Sequence, residues 1–404
     1  MKRILSILLL LVLFVYPLFS NKTLAHAETS DNTTPSDASA APITVTAPNA
    51  YLMEASTGTV LYEKNATESK PPASVTKVMT MLQIFRAIEQ NKISLDDVVT
   101  VSEYAASMGG SQVFLEPGET QTVDTLLKCI AVSSANDACV AMAEHISGSE
   151  EAFVEAMNAT AKELGMENTH FANTNGLTAE GHVTSAKDIA IMSRELITKY
   201  PKIFDYCSIW MEDITHVTKK GSTTFGLANT NKFLKRYEYA TGLKTGFTDI
   251  AKYCISATAQ RNGIDLIAVV MGADTPEHRM QDVITMLNYG FGICNLYEDK
   301  NDERLDAIPI TGGTSDSVTC HYEKSFQYLD TTGADLSKVE KKLVYNETQN
   351  APIKKGDVAG KAVYYINGKE IGSVNLLYDY DVETAGFSHY LMEIFSYFRF
   401  LMPV

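Results

Sequence analysis

What this chain of 404 residues lacks narrows its chemistry before any motif is considered. Its six cysteines (Cys129, Cys139, Cys207, Cys254, Cys294 and Cys320) form no Cys-x-x-Cys pair, and no His-Glu-x-x-His or cluster of His and Cys at ligand spacing occurs. No metal, nucleotide or other cofactor is therefore implied. Buried free thiols are the default reading of the cysteines, because a 45% hydrophobic chain of this length can build a core without disulfide staples. No Gly-x-Ser-x-Gly elbow is present, which removes the usual strand-turn-helix route to a serine nucleophile. Positive charge is in deficit, with 34 Lys and Arg against 49 Asp and Glu, so nucleic acid is not expected as a partner.

Long apolar runs are also scarce. The run from Ile4 to Phe19 is shorter than the ~20 residues needed to span a bilayer and is interrupted by Pro17. Lys2 and Arg3 precede it, and Ala25-His26-Ala27 follows as a small-residue cleavage pattern, so residues 1–27 read as a signal peptide and the protein as exported. Residues 28–41, rich in Ser, Thr, Asp, Ala and Pro, read as a flexible leader.

What is present is a set of three short strings in order: Ser74-Val75-Thr76-Lys77, Ser134-Ala135-Asn136 and Lys244-Thr245-Gly246. Ser74 heads the only Ser-x-x-Lys, and Lys-Thr-Gly occurs once. Ser-x-Asn also occurs at Ser30-Asp31-Asn32 and Ser373-Val374-Asn375, but the first lies in the leader and the second well beyond Lys-Thr-Gly. Ser74 and Lys77 open an apolar-periodic run (Val75, Val78, Met79, Leu82, Phe85), and their spacing of three places hydroxyl and amine on one helical face. Pro71 and Pro72 keep the helix from starting earlier, so Ser74 is expected at its N-terminus, where free N–H groups favour negative charge. A lysine serves as base only when burial or a second cation lowers its pKa, and Lys244 is the expected second cation.

Alternating runs at Tyr51 to Glu54 and Val60 to Glu63 predict a strand pair, and Val123 to His145 and Glu151 to Leu164 predict helices, so the middle of the chain reads as helical. Tyr253 to Ala259 and Ile264 to Met271, joined at Asn262-Gly263, predict a hairpin, with a helix returning over Glu277 to Tyr289. Beyond residue 300 the pattern changes to short strands, including Ala362 to Ile366 and Ser373 to Leu377 around Asn367-Gly368. Residues 387–404 read as an amphipathic tail helix. The expected organisation is a mixed α/β (α+β) catalytic domain over 42–300, an antiparallel sheet flanked by helices, then a small β domain over 301–384 and a tail helix over 385–404.

With these motifs the chain resembles the serine-type D-alanyl-D-alanine carboxypeptidases, the low-molecular-mass penicillin-binding proteins of bacterial walls, across residues 42 to 404. Pro72-Ala73-Ser74, Asn229-Thr230-Asn231, the Gly242 to Thr248 segment and the spacing from Arg279 to Gly290-Phe291 match that family's pattern. The resemblance implies a penicillin-binding, β-lactamase-like fold. It also implies that Ser74 attacks the bond between two terminal D-alanines of a peptidoglycan stem peptide, and that β-lactam antibiotics acylate the same residue. It assigns Lys77 the serine proton, and Ser134, Asn136 and Lys244 substrate binding and proton relay. Thr245 and Arg279 would hold the terminal carboxylate, and the N–H groups of Ser74 and Phe247 would form the oxyanion hole. Gly246, lacking Cβ, would let backbone approach substrate. For Arg279 a surface helix arginine is an equal alternative. Lys252 stands where the family often has glycine. The family also implies a tail lying on the outer face of the cytoplasmic membrane, and the tail's near-continuous aromatic and aliphatic surface agrees.

Two rivals differ in testable ways. A class A β-lactamase needs a carboxylate to activate the deacylating water, and Phe171 to Leu177 contains no acid. A non-catalytic wall-binding or penicillin-sensing module would not need Ser74 and Lys77 together.

Overall fold

The computed structural model describes residues 43–218 and 221–400, with side chains to residue 396. The expected signal peptide and leader, and the last four residues of the tail, lie outside the described residues.

The central sheet grows from the expected hairpin. Lys252–Arg261 and Ile264–Ala273 pair antiparallel through Asn262 and Gly263, whose φ values of 51° and 77° suit a two-residue Asn-Gly turn. Asn49–Glu54 pairs with the far side of Ile264–Ala273, Val60–Lys64 lies outside it, and Ala240–Thr248 forms the opposite edge. Alternation gives the sheet two apolar faces. Ala50, Leu52, Leu266, Ala268 and Val270 meet Val283, Met286 and Leu287 of helix Pro276–Ile293. Tyr51, Met53, Ile267, Val269 and Met271 face the other way. There they share a core with helices Lys77–Glu89, Val123–Ser133, Asn136–Ser147, Glu150–Glu163 and Ala186–Lys199. Lys77–Glu89 is buried on nearly every side, so its first residue can be driven deep into the protein.

The helices expected over Val123 to His145 and Glu151 to Leu164 form, the first broken at Ser134, and the middle of the chain departs from the helical expectation only beyond them. Between the second and third motifs lie a hairpin, Met211–Thr218 with Gly221–Ala228, and an irregular stretch at 164–185. The hairpin's inward positions mix Ile214 and Leu227 with His216, which blurs the apolar alternation that marks a strand.

Beyond the catalytic region, Cys320–Tyr322, Lys369–Tyr378, Val358–Ile366 and Val339–Tyr345 form a four-stranded antiparallel sheet, in that order, with its own core around Tyr364, Val374 and Leu376. The chain turns there through Asn367-Gly368, the second Asn-Gly hairpin. Helix Phe387–Phe400 follows, with Phe387, Met392 and Phe395 at 83%, 73% and 61% exposure. Among the described residues no helix is long and apolar enough to cross a membrane. All six cysteines are buried and unpaired.

Candidate active site

Pro71 and Pro72 lead into a 3-10 turn, Ala73–Thr76, that runs directly into Lys77–Glu89. Ala73 takes a left-handed φ of 49°, a strained conformation of the kind that persists where surrounding packing enforces it. Ser74 is half-buried at this turn, and Lys77, one turn later, has no exposed surface. Lys77 Nζ lies 3.0 Å from Ser74 Oγ, 2.7 Å from Asn136 Oδ1 and 2.6 Å from the Asn175 carbonyl oxygen. Asn136 Nδ2 donates to the Gly109 carbonyl at 2.7 Å, which fixes which end of the amide faces the lysine. A neutral amine has two N–H groups and one lone pair. The amide and carbonyl oxygens can only accept, so they take both N–H groups and leave the lone pair for the Ser74 hydroxyl. Burial pulls the Lys77 amine down to about 8, against opposing effects of Cys139 and Asp137.

Ser134 caps Val123–Ser133 in a left-handed conformation (φ 59°, ψ 34°), which lets the chain reverse into Asn136–Ser147. Its hydroxyl is buried without a partner. Lys244, on the edge strand and equally buried, donates to the Thr245 carbonyl at 3.0 Å, its one hydrogen-bond acceptor among the described residues. Burial first, and then the positive charge of Lys77, hold the Lys244 amine well below its ordinary value. Both amines are therefore held below their ordinary values by burial, Lys77 with an amide and a carbonyl oxygen as acceptors and Lys244 with one carbonyl, which leaves Lys244 short of partners for its charge until an anion arrives.

At the other end of the site Arg279 is buried, which settles its location against the surface alternative. Its Nη1 donates to the Cys254 carbonyl at 3.2 Å, its guanidinium lies 5.7 Å from the Tyr253 ring centre, and its buried Nε has no partner. Phe247 is half-exposed and packs on Tyr253 with ring centres 4.5 Å apart. One cleft of about 320 Å³ joins Ser74, Ser134, Thr245, Gly246, Phe247 and Arg279, and adds Ser111, Thr230 and Tyr253, which sequence reasoning assigned no role.

Two glycines press the walls together. A Cβ on Gly246 would lie 2.9 Å from Ser74 N and 3.0 Å from the Pro72 oxygen, so this glycine lets the edge strand approach the serine turn itself, a different reason from the one the sequence suggested. A Cβ on Gly176, at φ 89°, would lie 1.9 Å from the Ala73 oxygen. That contact seats the loop whose Asn175 carbonyl meets Lys77. The participation of Asn175 was invisible in sequence, because a backbone carbonyl carries no side-chain signature; the adjacent glycine was its one available signal. Lys252 holds a left-handed φ of 57°, the conformation that favours glycine.

A buried lysine within hydrogen-bond reach of a serine at a helix start, with a second serine and an arginine along one cleft, is the arrangement of a serine acyl-transfer enzyme. Residues 34–275 match the family model described as D-alanyl-D-alanine carboxypeptidase, and residues 299–384 the model described as penicillin-binding protein 5, C-terminal domain. The chain belongs to the peptidase S11 family of D-alanyl-D-alanine carboxypeptidases. It is 43% identical over 349 residues to the D-alanyl-D-alanine carboxypeptidase DacF of Bacillus subtilis, covering 85% of this chain and 88% of that one. It is similar to the crystal structure of penicillin binding protein 5 from Haemophilus influenzae, at a TM-score of 0.70 and 32% identity over 85% of this chain and 99% of that one. The DD-transpeptidase of Streptomyces K15 matches at a TM-score of 0.58 and 30% identity, covering 62% of this chain and 98% of its own.

Proposed function

We propose that this protein removes the terminal D-alanine from peptidoglycan stem peptides through an acyl-enzyme on Ser74, and that β-lactams acylate the same oxygen. The observation that carries the reading is Lys77 Nζ at 3.0 Å from Ser74 Oγ, in a cleft whose other end holds a buried arginine with an unpartnered nitrogen. A free carboxylate beside Arg279 and Thr245 would supply the missing acceptor and set the scissile carbonyl toward Ser74. The same carboxylate would favour a proton on Lys244, and a newly charged Lys244 would depress Lys77 further, so substrate arrival would itself help make the base.

Lys77 then accepts the Ser74 proton as Oγ bonds to the carbonyl carbon, and the oxyanion lies toward the N–H groups of Ser74 and Phe247. The close approach of Gly246 to Ser74 N supports this pairing of donors. Ser134, with its unpartnered hydroxyl, is suited to pass the proton to the departing D-alanine nitrogen. Water then releases the acyl group. The hydrogen-bond partners of Lys77 are an amide, a hydroxyl and a backbone carbonyl, with no carboxylate among them, which disfavours the class A β-lactamase alternative. Incubation of the purified protein with a D-Ala-D-Ala peptide should release free D-alanine, and penicillin should add one adduct by intact mass that Ser74→Ala lacks. No D-alanine release, or an adduct that survives in Ser74→Ala, would refute the assignment.

The localisation proposed is the outer face of the cytoplasmic membrane, reached through the signal-like segment at residues 1–27 and held by the tail helix lying on the lipid surface. The exposed Phe387, Met392 and Phe395 support an interfacial tail over one packed into the protein's own core. Liposome flotation of the protein with and without residues 387–404 tests this: only the longer form should float, with peptidase activity equal in both.

A further inference from the structure

Glu150, the first residue of Glu150–Glu163, is buried, does not line the cleft and has no part in the chemistry above. Its carboxylate nevertheless joins two separate segments. Oε1 accepts from Thr174 N at 3.0 Å and from Thr174 Oγ1 at 2.8 Å, and Oε2 accepts from Tyr104 Oη at 2.8 Å.

Each segment delivers one of the two acceptors that orient Lys77. Thr174 precedes Asn175, whose carbonyl takes a Lys77 N–H at 2.6 Å, and the Thr174 carbonyl in turn accepts from Thr80, one turn along the lysine's own helix. Tyr104 lies in the short helix Glu103–Ala106, from which the chain continues to Gly109 and Ser111. Their carbonyls accept from Asn136 Nδ2 and Asn136 N at 2.7 Å each, and so hold the amide whose oxygen takes the other Lys77 N–H.

We infer that Glu150 is a positioning residue for Lys77: its carboxylate clasps the Asn175 loop to the segment that holds Asn136, and so aims the Lys77 lone pair at Ser74. The inference rests on the reading of Lys77 as the base. Displacements well under a bond length matter here, because a misplacement of about 1 Å far from the chemistry can cost ~100-fold in rate.

The test is single-turnover acylation of the intact protein by a fluorescent penicillin, followed against pH, with melting temperature measured alongside. Groups facing Lys77 are Cys139 and Asp137 on Asn136–Ser147, Lys244 on the edge strand and His182 from the preceding loop. Those facing Glu150 are Tyr104 and Cys139, with Glu144 and Glu151 near the tyrosine. None of them is altered by Glu150→Ala or Glu150→Gln.

Wild type should show an acid limb near the Lys77 value of about 8. Glu150→Ala should acylate at least ~10-fold more slowly, with the limb moved to lower pH, because loss of the carbonyl acceptor removes more from the ammonium than from the amine. Glu150→Gln should recover to within about threefold, since its amide oxygen can accept from Thr174 and its NH₂ can donate to the Tyr104 oxygen. Tyr104→Phe, which cuts one arm of the clasp at a half-exposed ring, should shift the limb the same way by less. A Glu150→Ala protein with wild-type rate and limb, or one slowed with an unshifted limb and no rescue by Gln, overturns the inference. If Glu150→Ala does not fold, Tyr104→Phe decides: a shifted limb supports the clasp and an unshifted one overturns it. Acylation by Lys77→Arg at the wild-type rate instead removes the base reading, and the clasp with it, and is distinguishable because it leaves the Glu150 variants out of account.

Discussion

The catalytic region and the C-terminal β region both rest on antiparallel sheets turned by Asn-Gly hairpins, yet they treat inward-facing cations in opposite ways. In the β region Lys341 pairs with Asp299 at 2.7 Å and with Glu303, donates to Asn301 at 3.0 Å, and lies over the rings of Tyr322 and Tyr364. Its amine is held above its ordinary value by those carboxylates, although burial opposes them. In the catalytic region Lys244 has one backbone acceptor and Arg279 one, with a buried nitrogen left over. Burial pushes both down. A cation supplied with every partner by its own chain is part of the structure. One left short of partners beside a cleft is prepared for a ligand that brings the missing charge, and its incomplete bonding is a cost of folding that binding offsets.

The largest test of that contrast is at the base. Lys77→Arg is expected to lower acylation by at least ~1,000-fold while the protein stays folded, since a guanidinium cannot give up its proton. The wild-type acylation rate should rise as pH passes through about 8, because the working form of Lys77 is the neutral one and its burial-depressed value sets that limb. Stopped-flow acylation across pH checks both.

Next in size, Arg279→Gln should lower kcat/KM for a free-acid peptide by ~10- to 100-fold, the worth of one hydrogen bond to a charged group. Its effect on a C-terminally amidated analogue should be far smaller. The melting temperature should hold or rise, because an incompletely partnered buried charge is removed. Equal losses on both substrates would break the assignment of Arg279 to the carboxylate.

Lys341→Met should do the reverse, lowering stability by about 1 kcal/mol with D-alanine release unchanged, since the pairs it breaks are partly open to solvent. Activity loss matching that at Arg279 would erase the distinction between the two kinds of cation. Smallest of all, Lys252→Gly should raise stability by about half a kcal/mol, the relief of a left-handed conformation less the entropy of added glycine, read as a small rise in melting temperature.

Much of the fold was open to a reader of the sequence because it depends on neighbours along the chain. The 262–263 and 367–368 turns fix strand register through two residues each, and the helices Val123–Ser133 and Glu150–Glu163 follow from apolar periodicity along the chain. The hairpin at 211–228 escaped because its inward face carries a histidine, paired with Glu119 at 2.7 Å, an acid nearly a hundred residues earlier. Among site residues, Ser74 and Lys77 were legible through helical spacing. Thr230 stood in a recognised string, Asn229-Thr230-Asn231, that carried no role, and Ser111 and Tyr253 were not legible, because the folded chain brings them to the cleft from separate segments without a shared motif.

The sequence by itself singled out the candidate nucleophile and candidate base, through three ordered motifs shared with the family, and the sheet that carries the third, through short-range periodicity. Only the tertiary structure decided how Lys77 is oriented and how few acceptors each buried lysine is left with. Two of Lys77's partners lie 59 and 98 residues away, and one is a backbone oxygen that any residue would offer. The pKa of a buried amine is set by how many acceptors the fold leaves within reach of it and by how much water the fold removes, and neither quantity exists until distant segments have packed together.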